Sequence, residues 1–98
     1  MKVAWRPMAI ADRDQIFEYI ARDNPVAAIE LDEQFEAHAD NAALHPKIYK
    51  QGRVRGTREI VVRPNYIMVY RIAEESNTLD VLRVLHAAQQ WPTGKGKK

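Results

Sequence analysis

Between Asn24 and Pro46 the apolar residues Ala28, Leu31, Phe35, Ala39 and Ala42 recur at spacings of three and four. That period belongs to an α-helix burying one stripe. Asn24-Pro25 is a start signal, a good N-cap followed by proline at the first helical position. His45-Pro46 is a stop, because the residue before proline avoids the helical region. A helix with one narrow apolar stripe and acids around it cannot make a core alone, so the rest of the chain must supply the surface it packs on.

The residues before Asn24 predict a short strand over Met1–Arg6 and a helix from Pro7 to about Arg22. Ala9, Ile16 and Ile20 share its stripe, with Phe17 and Ala21 beside it. The connection at Asp23-Asn24 is short, which favours an antiparallel helical hairpin. The second half reads as strands. Arg58–Val62 and Tyr66–Ile72 flank the turn Pro64-Asn65, and Leu79–Leu85 follows the turn Glu74-Glu75-Ser76-Asn77. Tyr66, Met68, Tyr70 and Ile72 alternate onto one face, and Ile67, Val69 and Arg71 onto the other. The last strand is apolar on both faces, as expected of a central or doubly covered strand. The expected fold is α+β, an N-terminal strand and a helical hairpin packed on an antiparallel sheet.

At 98 residues, 46% apolar and 29% charged, the chain is expected to fold as one domain over residues 1–92. The basic tail 93–98, with Gly94-Lys95-Gly96-Lys97-Lys98, is expected to be flexible. With no cysteine, disulfides and thiolate metal sites are excluded. No window reaches the ~20 apolar residues of a membrane span, and the N-terminus lacks a signal-peptide core. A cytoplasmic location is the expectation.

The net charge is only +2, but it is sorted along the chain. Asp12, Asp14, Glu18, Asp23, Glu30, Asp32, Glu33, Glu36 and Asp40 face only Arg13 and Arg22. Further on, Lys47, Lys50, Arg53, Arg55, Arg58, Arg63 and Arg71 face only Glu59. An acidic first half and a basic second half suit a polyanionic or acidic partner on the basic side.

Signatures of chemistry are sparse. There is no phosphate-binding glycine loop, HExxH pair or nucleophile elbow. His38, His45 and His86 lack metal-ligand spacing, so neither a metal nor a cofactor is expected. His86 closes the last strand, where a polar side chain can be held rigidly beside a cleft and act as an acid or base. Without a second group of matching geometry, the favoured reading is a histidine that packs and hydrogen-bonds at the edge of the core. Arg58, Arg63, Arg71 and Arg83 lie in or beside strands, and a guanidinium fork suits carboxylates and phosphates. Tyr66, Tyr70 and Trp91 stand near them in sequence and could stack on bases. The alternative is that the tyrosines are core and the arginines pair with the acidic helices.

The runs Gly56-Thr57-Arg58-Glu59-Ile60, Pro64-Asn65-Tyr66-Ile67-Met68-Val69-Tyr70-Arg71 and Leu82-Arg83-Val84-Leu85-His86 resemble the RelE/ParE toxin family in order and spacing. Ile16-Phe17-Glu18-Tyr19-Ile20-Ala21, Asn24-Pro25, Ala27-Ala28, Leu44 and Pro46 extend the resemblance over nearly the whole chain. It implies the toxin of a type II toxin–antitoxin pair, neutralised by an antitoxin and meeting operator DNA only through that partner. It leaves two targets. One branch cleaves mRNA on the ribosome, and the ParE-like branch poisons DNA gyrase without catalytic chemistry of its own.

The RelE-like nucleases share basic residues at several sheet positions. Arg58 matches the first, but Ile60, Ile67 and Ala88 stand where three others are expected. His86-Ala87-Ala88 with Trp91 is similar to YafQ-like nucleases, whose remaining histidines and Asp-Trp pair are missing. Pro64-Asn65-Tyr66 and the strand-end histidine, followed by an aromatic and proline, look closer to the ParE-like members. The expectation is therefore a gyrase inhibitor, with target and antitoxin contacts at Arg58, Arg63, Tyr66, Tyr70, Arg71, Arg83, His86 and Trp91. The alternatives are a ribosome-dependent nuclease using Arg58, Arg83 and His86, or a degenerate, non-toxic binding module.

Overall fold

The computed structural model describes residues 1–89 and 91; the tail expectation for 93–98 lies outside them. Six elements follow one another: β1 (Lys2–Trp5), α1 (Pro7–Ala21), α2 (Pro25–Leu44), β2 (Arg58–Arg63), β3 (Tyr66–Ala73) and β4 (Thr78–His86). Both helices begin at the prolines read as start signals. The Asn24 side chain caps α2 by accepting the N–H of Ala27 at 3.1 Å.

The strands form one sheet in the order β1-β4-β3-β2. The β2–β3–β4 meander is antiparallel, as expected. β1 joins in parallel on the free side of β4, which makes the sheet mixed and β4 interior. A parallel pair needs a long crossover, here the helical hairpin and two strands. Alternation shows that a strand is covered but not which neighbour covers it, so the direction of β1 was not readable from sequence.

The core lies between one sheet face and the hairpin. Leu31, Phe35, Ala39 and Ala42 of α2 pack with Ile60, Tyr66, Met68, Tyr70, Leu79, Val81 and Val84. Each large apolar side chain buried there contributes about 1.5–3 kcal/mol. The α1 stripe supplies Ala9, with Ile16 and Ile20 half-buried against the cluster. No helix among the described residues is long and apolar enough to cross a membrane.

Two irregularities aim side chains. The β3–β4 register shifts where Tyr70 pairs Val81 and Val69 pairs Arg83, leaving Leu82 as an extra residue. This bulge moves the core-facing positions of β4 from Leu79 and Val81 to Val84 and His86. It explains why the strand reads as apolar on both faces: the alternation changes phase inside it. A second shift lies between Val61 and Arg63 on β2.

Candidate functional site

The bulge sets the geometry of the far end of the sheet. Beyond it His86 stands opposite Tyr66, their rings edge-to-face with centroids 5.5 Å apart. Tyr66 in turn meets Phe35 edge-on at 6.1 Å. The strand end and the first helix enclose a cleft of about 450 Å³, lined by Gln15, Ile16 and Tyr19 of α1, Asn65 of the β2–β3 turn, Tyr66 at the start of β3, and Val84, His86 and Gln89. Asp12 reaches its floor. Side-chain amides and aromatic rings dominate this lining.

His86 is exposed, but one ring nitrogen is engaged. The Ala88 N–H donates to Nδ1 at 3.1 Å. A backbone amide can only donate, so the neutral ring carries its proton on Nε2. In that state His86 can offer a hydrogen bond to the cleft but cannot accept a proton at Nε2. To take a proton at Nδ1 the ring would have to give up the bond from Ala88.

The candidate arginines are dispersed. Arg83 is buried, and its fork is taken by Asp12: Nε to Oδ2 at 2.7 Å and Nη2 to Oδ1 at 3.0 Å. The Val84 N–H donates to the same Oδ2 at 2.9 Å. The bonds to Asp12 raise the Arg83 guanidinium above its ordinary value despite the opposing cost of burial. Arg83 also lies 5.6 Å from the Trp91 ring, and both line a second, largely apolar groove with Pro7, Met8 and Leu82. Arg63 donates to Gln34 Oε1 at 2.9 Å, tying β2 to α2. Exposed Arg71 pairs with Asp80 at 3.3 Å.

Arg58, at the start of β2, pairs with Tyr70 in the interior of β3, away from the cleft. Arg58 Nη1 donates to the carbonyls of Tyr49 at 2.7 Å and Lys47 at 3.3 Å. The Tyr70 hydroxyl donates to the Pro46 carbonyl. Burial pushes the Tyr70 phenol above its ordinary value, against the smaller pull of the Arg58 charge. Both residues thus brace the loop leaving α2.

Of the expected contact residues, the structure brings Tyr66 and His86 together, Arg83 and Trp91 together, and Arg58 and Tyr70 together. It does not join the nuclease set Arg58, Arg83 and His86 into one site. Sequence reasoning missed Asp12, although positions 9, 12, 16 and 20 share one helical stripe. It also missed Gln15, Tyr19 and Gln89, polar residues for which no sequence signal stands out. Arg13 was missed as the hairpin clamp: it grips Asp32 at 2.7 and 2.9 Å and Glu36 at 3.0 Å, with its guanidinium 4.3 Å from the Trp5 ring. Burial lowers the Arg13 pKa, but the bonds to Asp32 and Glu36 outweigh it and leave the group raised.

The three positions that depart from the nuclease pattern are not equivalent. Ile60 is 1% exposed and faces the helices, so a cation there would sit in the core. Its apolar character reports on packing and carries no weight about the target. Ile67 is half-buried and Ala88 exposed, so only these two bear on surface chemistry. Among the described residues no cluster of histidine and acidic side chains could hold a metal ion.

Comparison with known proteins bears on this arrangement. Residues 3–91 match a family model described as "ParE toxin of type II toxin-antitoxin system, parDE". The chain is 35% identical over 92 residues to the putative toxin Y4kP of Sinorhizobium fredii, covering 93% of each. It is 32% identical over 90 residues to toxin RelE2 of Caulobacter vibrioides, covering 90% of this chain and 97% of that protein. The fold is similar to that in the chromosomal ParDE system of P. aeruginosa, with TM-score 0.76 and 17% identity over 88% of this chain and 95% of that one. It is also similar to that in the intact E. coli RelBE toxin–antitoxin complex, with TM-score 0.65 and 18% identity over 90% and 98%. At such identities the structural likeness establishes the fold alone.

Proposed function

Because this chain belongs to the ParE toxin family, within the RelE/ParE superfamily of type II toxin–antitoxin systems, we propose that it acts by binding and inhibiting DNA gyrase. The observation that carries this reading is the dispersal of the candidate catalytic groups. Arg83 is buried against Asp12, Arg58 is turned onto loop carbonyls, and His86 has Nδ1 occupied. Catalysis needs a mutually arranged acid, base and charge stabiliser, whereas inhibition by binding needs only a shaped surface.

An antitoxin holds the toxin inactive by covering that surface. Two structural neighbours, the chromosomal ParDE system of P. aeruginosa and the intact E. coli RelBE complex, are toxin–antitoxin systems. The hairpin exposes Ile10, Val26 and Ile29 among its acids, apolar footholds of the kind a partner helix or strand covers. Operator DNA is then reached through the antitoxin.

A ribosome-dependent nuclease is the second reading, favoured by one observation: His86 and Tyr66 face a polar cleft. Expression of the chain alone in a bacterium separates the readings. Gyrase inhibition gives filamentous cells, and nuclease action gives abrupt arrest of translation. Normal growth would overturn both in favour of a non-toxic binding module.

A further inference from the structure

Among the described residues, a run of positive charge lies outside the cleft, on the segment joining α2 to β2. Lys47, Lys50, Arg53 and Arg55 all project to solvent there. Glu59, the one acid close by in sequence, is buried and committed to Arg53, accepting from its backbone N–H at 2.9 Å and its Nε at 3.2 Å. Among the described residues Lys47, Lys50 and Arg55 make no ion pair.

The segment is braced. The carbonyls of Pro46, Lys47 and Tyr49 accept from Tyr70 and Arg58. The Gly52 N–H donates to the Thr57 carbonyl at 2.7 Å, the Thr57 N–H to the Val54 carbonyl at 3.1 Å, and the Glu59 N–H to the Lys50 carbonyl at 3.1 Å. A surface already ordered loses little conformational entropy when a partner docks.

Two large apolar side chains share this stretch. Leu44, the last residue of α2, is 74% exposed and Ile48 is 65% exposed. A phosphate backbone would reward the cations but leave these two in water. A peptide carrying both acidic and apolar side chains satisfies both.

We propose that this segment, with Leu44 and Ile48, is the docking surface for an acidic, apolar-studded stretch of the antitoxin. The inference rests on the antitoxin reading above and adds the surface and its chemistry. Charge attraction sets the approach and register, and the two apolar side chains supply desolvated contact.

Calorimetric titration of the toxin with its co-purified antitoxin tests this. The variant Lys47→Glu/Lys50→Glu/Arg55→Glu should bind at least about tenfold more weakly at about 0.1 M salt, and the difference should shrink at about 1 M. Glutamine at the same positions should give a smaller loss in the same direction, a graded response that misfolding would not produce. Leu44→Ser/Ile48→Ser should weaken binding at both salt concentrations. Wild-type affinity in the glutamate variant, with the native toxin binding normally, would overturn the surface and leave the antitoxin reading standing. Failure of the native toxin to bind would overturn both. A short DNA duplex that loses binding to the glutamate variant, while the antitoxin does not, would overturn the surface in favour of nucleic acid.

Discussion

The carboxylate of Asp12 accepts both the Arg83 fork and the Val84 N–H, fastening the middle of α1 to β4 just past the bulge. The pair spans 71 positions of sequence and is buried at both ends. It holds the wall shared by the cleft at His86 and the groove at Trp91. Arg83 therefore positions other groups.

Removing one partner leaves the other charged, buried and alone. Asp12→Ala should destabilise the fold by about 3–5 kcal/mol. Asp12→Leu/Arg83→Met should recover most of the loss, because no unpaired charge remains. Urea unfolding of the three proteins checks this, and a mild Asp12→Ala phenotype would show the pair to be dispensable.

Tyr70 predicts the alkaline limit. Its folded pKa is raised above the ordinary 10.0 by burial. Below that value the phenol is neutral in both folded and unfolded chains, and its contribution is fully present. As pH rises past it, the unfolded chain ionises first and stability falls until the folded pKa is reached. Thermal unfolding should show a declining midpoint above pH 10, and Tyr70→Phe should make the decline shallower. An equally steep decline in the variant would remove Tyr70 from the account.

What could be read from sequence was what local chemistry dictates. Pro7, Asn24-Pro25 and His45-Pro46 bracketed the helices because capping and proline geometry act within a few residues. Ala28, Leu31, Phe35, Ala39 and Ala42 are at most 1% exposed because a long 3.6-residue period has one burial solution. The candidate site was less legible, because it depends on distant pairings. The bulge at Leu82 changes which β4 residues face the helices, and nothing in the local sequence announces it. Arg83 was readable either as a surface cation or as the partner of an acidic helix, and only the fold selects Asp12, 71 positions away. The partners of Arg58 are nearby backbone carbonyls, which any sequence offers and none announces.

The exposure of the departing positions can be tested directly. Ile60→Lys places a charge among apolar side chains and should cost at least about 3 kcal/mol. Ile67→Arg, on the other face, should cost about 1 kcal/mol or less. Denaturation of the two variants decides, and comparable losses would contradict the assignment of their faces.

The braced loop makes a contrast between two glycines. A Cβ at Gly52 would collide with the Thr57 hydroxyl and crowd Glu59 Cγ at 3.3 Å. Gly56 has open space but a φ of +84°, so a substitution there meets backbone strain alone. Gly56→Ala should cost about 1 kcal/mol and Gly52→Ala about 1–3 kcal/mol. Hydrogen exchange at the Thr57 and Glu59 amides should accelerate more in the Gly52 variant, and the reverse order would contradict the packing.

The most direct measurement for the account as a whole is a supercoiling reaction with purified gyrase, relaxed plasmid and the purified chain. The account predicts inhibited supercoiling with accumulation of cleaved, gyrase-bound DNA, reversed by the antitoxin. Undiminished supercoiling, together with mRNA cut at discrete sites in a translating extract, would contradict it.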